Sequence, residues 1–329
     1  MRVIIDGHML GRNEGGNERY VKGIIKGLSP LKNIKTRIYR SHTRGVVADL
    51  KRVFIDLPRQ AEGFRADIVH ATYIGPLWGR GRLVLTVHDF LFRRNPEFFS
   101  LKEQLVFGLL LPLCLKRTSA VIVPSNFVKK EAVKFYPWLK NKVFVTYEAA
   151  DGVFSYKRSK KARKPYLLAF NSKNPKKNIA RVIAAYGIVQ KSLPQTELLV
   201  VGPRVAAGEG VTFVENVGER KLAQLYHGCE CLVYFSLYEG FGLPILEAFI
   251  GGVAVVASDI PVHREIAGNA ALFAKPKNPQ DLADKIIKLL GNPSLKAKLV
   301  RKGRERAATF SWEKTGKETA AIYRRVLKP

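Results

Sequence analysis

Short apolar runs recur along the chain, each bounded by glycine, proline or charged residues. In the first half these are VIID (3–6), DIVHAT (67–72), LVLTVHD (83–89), AVIVPS (120–125) and KVFVTYE (142–148). Compact runs rich in β-branched residues predict buried strands. Between them, helices are expected near 17–28, 98–117 and 126–136, which is the alternation of a parallel α/β sheet. A second series follows: PYLLAF (165–170), ELLVVG (197–202), VTFVE (211–215), CLVYFS (231–236) and GVAVVAS (252–258). Here the expected helices lie near 177–191, 219–228, 243–250 and 279–291. The pattern predicts two doubly wound units in tandem, and such sheets collect ligands at the carboxyl ends of their strands. SYKRSKKARKP (155–165) is basic and polar and reads as an exposed linker. The boundaries are then 1–155 for the first domain, 156–164 for the linker and 165–311 for the second. A last helix is expected over 312–329, with Trp312, Ala320, Ile322, Tyr323 and Val326 as its packing positions.

Composition adds charge to this picture. Lys and Arg number 56 against 27 acids, giving +29, while 47% of residues are hydrophobic. The content is that of a globular protein, and the field attracts polyanions: nucleic acid, anionic lipid or phosphorylated small molecules. Single-strand-binding interleaving and a helix-turn-helix signature are both missing, so a specific nucleic-acid partner is not expected. No run of ~20 apolar residues suggests a spanning helix, and Asp6 interrupts the opening apolar stretch as no signal peptide would. Cys114, Cys229 and Cys231 lack metal-ligand spacing and read as reduced thiols, so a cytoplasmic protein is expected. Nor do His8, His42, His70, His227 and His263 share a metal pattern.

The most informative stretch is SLYEGFGLPILEAF (236–249). Gly240 and Gly242 allow a sharp turn after a strand, and Pro244 suits the first turn of a helix. The unpaired amides there favour phosphate. Glu247 would accept hydrogen bonds from a vicinal diol such as ribose, so the turn reads as a nucleotide site.

This segment resembles the EGFGLPxLEA signature of the retaining glycosyltransferases of group 1 type, which have the GT-B fold: two Rossmann-like domains facing across a cleft. PVHREIAGNAALFAKPKNPQDLADKIIKLL and YLLAFNSKNPKKN are similar to the family's later segments. GGNERYVKGI, TVHDF and VIVPSNFVKKEAVKFY are similar to its glycine loop, histidine turn and serine-led helix. The resemblance implies that the second domain holds the nucleotide, the first the acceptor, and that the last helix crosses back to the first domain. It implies Glu247 at the ribose, Glu239 near the donor sugar and phosphates, and Lys177 neutralising the diphosphate. Gly240, Phe241, Gly242 and Leu243 line the nucleotide, and Gly15 and Gly16 let the diphosphate approach backbone. His88 is implied at the donor hexose. Asn171 and Ser172 depart from the usual glycine followed by arginine or a small polar residue. The second clamp cation is then Lys173, Lys176 or Arg204, with Ser172 as a further donor to phosphate. Asp89 and Glu265 read as supporting residues.

The expectation is a retaining hexosyltransferase that needs no cofactor and no metal, with a nucleotide sugar as co-substrate. GDP-mannose leads and UDP-glucose follows. Retention by same-face attack is favoured, since the residues suggest no nucleophile. The acceptor is expected to be a glycan or a lipid-linked sugar, and the basic, apolar stretch 93–117 reads either as a helix packed on the first sheet or as one lying at an anionic membrane surface. A nucleotide-sugar epimerase, a sugar phosphorylase and a basic nucleic-acid-binding protein are the rival readings.

Overall fold

Strand-forming apolar runs and the helices between them assemble into two parallel six-stranded sheets. The computed structural model describes residues 1–11, 15–41, 45–155 and 164–328. His42 and nearly all of the expected linker fall outside those residues.

The first unit takes Met1–Glu148 and Ser311–Pro329. In chain order it holds β1 (Arg2–Asp6), α1 (Gly16–Leu28), β2 (Lys35–Tyr39), α2 (Val46–Lys51), α3 (Leu57–Gly63), β3 (Ile68–Thr72) and β4 (Arg82–Thr86). These are followed by α4 (Leu91–Arg94), α5 (Leu101–Arg117), β5 (Ala120–Val123), α6 (Asn126–Phe135) and β6 (Val143–Val145). The strand order is β2-β1-β3-β4-β5-β6, parallel throughout. Every residue of β3 and β5 is buried, as strands covered by helices on both faces require.

The second unit takes Ala149–Phe310. It runs β7 (Tyr166–Phe170), α7 (Ile179–Ser192), β8 (Glu197–Val201), β9 (Val211–Val214), α8 (Glu219–Gly228), β10 (Cys231–Tyr234) and α9 (Leu243–Ile250). β11 (Val255–Ser258), α10 (Pro261–Ala267), β12 (Leu272–Ala274), α11 (Pro279–Leu290) and α12 (Pro293–Ala307) complete it. The order β12-β11-β10-β7-β8-β9 reverses direction between β7 and β10, so a crevice opens at their carboxyl ends. Leu167, Ala169, Val200 and Val233 form its core with Val182, Tyr186 and Ile286 of the covering helices.

Several boundaries differ from the sequence expectation. The strands stop before the ends of their apolar runs, which leaves His88, Ser125 and Glu148 in the turns beyond. β2 was not expected, because KTRIY is an edge strand whose first three residues are exposed. Residues 149–155 pack with the second unit, since Phe154 is buried with its ring 5.6 Å from that of Tyr226.

The last helix, α13 (Trp312–Leu327), belongs to the first unit and lies along α1. Glycines make the approach possible. A Cβ on Gly27 would stand 2.1 Å from the Trp312 carbonyl oxygen, and one on Gly316 would stand 2.2 Å from that of Gly27. Tyr323 anchors the same helix through its hydroxyl, 2.5 Å from Nδ1 of buried His70.

Candidate active site

In the second unit, the ends of β7 and β10 bring one acid and several donors together. β7 leads into a single 3-10 turn, Pro175–Lys177, and Asn178 then caps α7 in the left-handed region at φ 58°. Asn178 is held there by side-chain bonds to the carbonyls of Phe235 (3.1 Å) and Pro276 (2.8 Å). This aims Lys177 at the turn after β10, where its ammonium donates to Glu239 at 2.7 Å and to the Tyr234 hydroxyl at 2.9 Å. Lys176 stands 3.7 Å from the other carboxylate oxygen of Glu239.

Burial alone would raise the proton affinity of Glu239. Lys177 and Lys176 outweigh it and hold the carboxyl well below the usual carboxylate range. A carboxylate so engaged is ionised and its charge is spent on the lysines.

Gly242 caps α9 at φ 113°, a conformation that favours glycine. A Cβ there would lie 3.7 Å from the His263 ring and 3.8 Å from the Tyr234 ring, so the backbone turns close against both. The Ser258 hydroxyl donates to the Ser236 carbonyl at 2.5 Å, which makes its oxygen an acceptor for His263 Nδ1 at 3.0 Å. Nε2 of His263 is then the lone-pair nitrogen, buried and without a protein partner. Burial pushes this imidazole down to about 4, so it is neutral near pH 7. Glu247, on α9, is buried and accepts from the Tyr226 hydroxyl at 2.8 Å.

The remaining sequence candidates of this unit divide. Gly240, Phe241 and Leu243 are buried in the turn that holds Glu239. Ser172 turns its hydroxyl to its own loop, the Asn174 carbonyl at 3.1 Å. Lys173 and Arg204 are exposed, and only Lys176 of the three possible second cations reaches Glu239. Tyr234, Tyr226, Asn178 and His263 were not singled out. Their signal was position, since Tyr234 ends β10, Asn178 and His263 stand where α7 and α10 begin, and Tyr226 lies in the last turn of α8.

In the first unit, His88 lies two residues beyond β4, buried. Its Nδ1 donates to Glu148 at 3.0 Å, and its Nε2 has no partner among the described residues. The Tyr20 ring packs edge-on at 4.7 Å. Glu148 was legible as the end of a strand run and as nothing more. Gly15 caps α1 at φ 66°, and among the described residues nothing lies within 4 Å of a Cβ placed on Gly15 or Gly16. A further charged group, Asp6 with His8 and Arg52, lies at the end of β1. Burial would raise Asp6, but Arg52 and His8 pull it down to about 2.

Comparison with known proteins places both units in known families. Residues 154–306 match the family described as glycosyl transferases group 1, and residues 15–151 match glycosyltransferase family 4. O-antigen chain mannosyltransferase B of Escherichia coli is 26% identical over 267 residues, 74% of this chain and 70% of that protein. O-antigen chain mannosyltransferase RfbU of Salmonella typhimurium is 31% identical over 205 residues, 58% of this chain and 56% of that protein. Sucrose-phosphate synthase of Thermosynechococcus elongatus superposes with a TM-score of 0.78 at 19% identity, covering 99% of this chain and 98% of that one. Anabaena Alr3699/HepE, solved with UDP and glucose, does so at 0.75 and 19%, covering 98% of each. None of these favours an epimerase, a phosphorylase or a nucleic-acid-binding protein. With one family match on each of its two α/β units, the chain belongs to the group 1 and family 4 glycosyltransferases, a hexosyltransferase with the GT-B fold.

Proposed function

We propose that the enzyme moves mannose, or less readily glucose, from a nucleoside diphosphate sugar to a hydroxyl of a glycan or lipid-linked acceptor, with retained anomeric configuration. The observation that carries the reading is the Lys177–Glu239 pair, with Lys176 alongside, at the crevice between β7 and β10. Departure of a nucleoside diphosphate builds negative charge. Two fixed cations beside the amides that open α9 would stabilise that charge without a metal ion. In this reading Glu239 is the group that holds both lysines in place. Its engagement also makes it a poor nucleophile, which supports same-face attack, with the leaving phosphate taking the acceptor proton. Glu247 takes the ribose hydroxyls, Tyr226 fixing its carboxylate. Gly15 and Gly16 offer bare backbone to phosphate, and Nε2 of His88 is the atom assigned to the transferred sugar.

Mannose is preferred because the two bacterial relatives above are mannosyltransferases. UDP-glucose comes second because Alr3699/HepE was solved with UDP and glucose. The test is donor hydrolysis across GDP-mannose, UDP-glucose, UDP-galactose and UDP-N-acetylglucosamine, followed by proton NMR of the product's anomeric centre. GDP-mannose should turn over fastest, with the α configuration kept. An inverted product would refute retention, and hydrolysis of none of the four would refute the assignment of the site.

A further inference from the structure

Helix α5 is apolar on two sides. One side, with Leu111, Cys114 and Leu115, is buried in the core of the first unit. The other carries Leu101, Leu105, Leu109 and Leu113, exposed by 85, 69, 58 and 42%. Residues four apart share a helix side, so the four leucines form one stripe along the whole helix. A stripe of that length left in water marks a surface made for a partner.

The charges around the stripe say which partner. Helical spacing puts Lys102 and Lys116 on the same side as the leucines, one near each end, and both are exposed. The only acid of α5, Glu103, is turned back to Ser100 in a capping box. Arg94 is drawn to Glu131 at 2.7 Å, so it contributes less to this surface than its sequence position implies. Arg117 donates to the carbonyls of Pro76 and Gly79, which sets the loop carrying exposed Trp78 beside the end of the helix. Tryptophan with one wet edge suits a membrane interface.

We propose that α5 is a membrane-docking helix that lies flat on an anionic lipid bilayer. Its leucine stripe enters the acyl boundary while Lys102 and Lys116 meet lipid phosphates. A second copy of a chain with net charge +29 would bring like charge to the same face, whereas an anionic bilayer brings the opposite charge and an apolar layer together. Among the described residues no helix is long and apolar enough to cross a membrane, so α5 rests on the surface and does not span it. The inference deepens the lipid-linked acceptor reading but stands on α5 alone.

Cosedimentation with phosphatidylglycerol–phosphatidylcholine vesicles, at low and high salt, tests it against phosphatidylcholine alone. The protein should bind the anionic vesicles and be released by salt. Leu105→Ser with Leu109→Ser should weaken binding about tenfold or more, with the circular-dichroism melt and donor hydrolysis in solution unchanged. Lys102→Ser with Lys116→Ser should weaken it about twentyfold at low salt, because each basic residue near the surface is worth about fivefold. No binding to anionic vesicles overturns the proposal, as does equal binding by the leucine variant. So does a concentration-dependent dimer in light scattering that the leucine variant abolishes. Donor hydrolysis that fails in the parent protein would count against the proposed function and leave the vesicle result intact.

Discussion

His88 donates from Nδ1 to Glu148 at 3.0 Å, and the pair joins the turn after β4 to the turn after β6. The carboxylate fixes the ring's tautomer, leaving Nε2 as the lone-pair nitrogen, the atom proposed above to face the transferred sugar. Glu148→Gln should therefore keep nucleotide affinity while lowering kcat roughly tenfold, about 1.4 kcal/mol of barrier. A parental kcat would leave Glu148 a packing residue.

The Lys177–Glu239 contact is buried, so breaking one side is worse than removing both. Lys177→Met strands the carboxylate and should destabilise the protein by about 3 kcal/mol, reduced where Lys176 compensates. Adding Glu239→Gln should recover part of that loss in urea melts, though not the turnover. A double variant no more stable than the single would show that the pair does not carry this energy.

Glu247 and Tyr226 separate binding from chemistry. Replacing Glu247 by Ala removes a charged acceptor and should weaken nucleotide binding by about 1.5–3 kcal/mol in calorimetry. Tyr226→Phe removes one bond to that carboxylate, with a smaller expected loss of about 1 kcal/mol. If both variants bind nucleotide as the parent does, ribose is held elsewhere.

Acid should act on His263. Its folded value lies near 4 against an ordinary 6.5. Below pH 6.5 the unfolded chain takes up a proton that the fold refuses, so stability falls as pH drops from 6.5 towards 4. The full loss is about 3 kcal/mol. His263→Asn should flatten that part of the stability–pH curve measured by denaturant melts; an unchanged slope would remove His263 as its cause.

Chelation is a direct test of the charge argument. If Lys176, Lys177 and the amides that open α9 hold the phosphates as proposed, turnover after EDTA treatment should match the untreated enzyme. A rate restored by Mg²⁺ or Mn²⁺ would require a metal at the diphosphate.

Much of this was legible because alternation writes it plainly. Fully buried parallel strands such as β3 and β5 leave unbroken apolar runs, and helices α8 and α9 fell on their expected residues. β2 was missed because an edge strand with exposed Lys35 and Arg37 lacks such a run. Glu239 and Glu247 stood out through the glycine turn they flank and Lys177 through the family resemblance, but their partners did not. Tyr226, Tyr234 and His263 are ordinary core residues in a one-dimensional reading, and only folding sets them against the acids. Glu148 is separated from His88 by 60 positions, and nothing local in the sequence announces that pairing.

The place of α13 also bears on how a ribosome delivers the protein. The first unit's sheet leaves the exit tunnel early, yet Trp312 and Tyr323, which close over α1 and His70, are made only after the whole second unit. The second unit lies wholly between them in the chain and can finish folding first. The half whose synthesis starts first is thus completed after the other, and until α13 emerges it shows α1 glycines and the His70 side chain to whatever waits at the tunnel mouth.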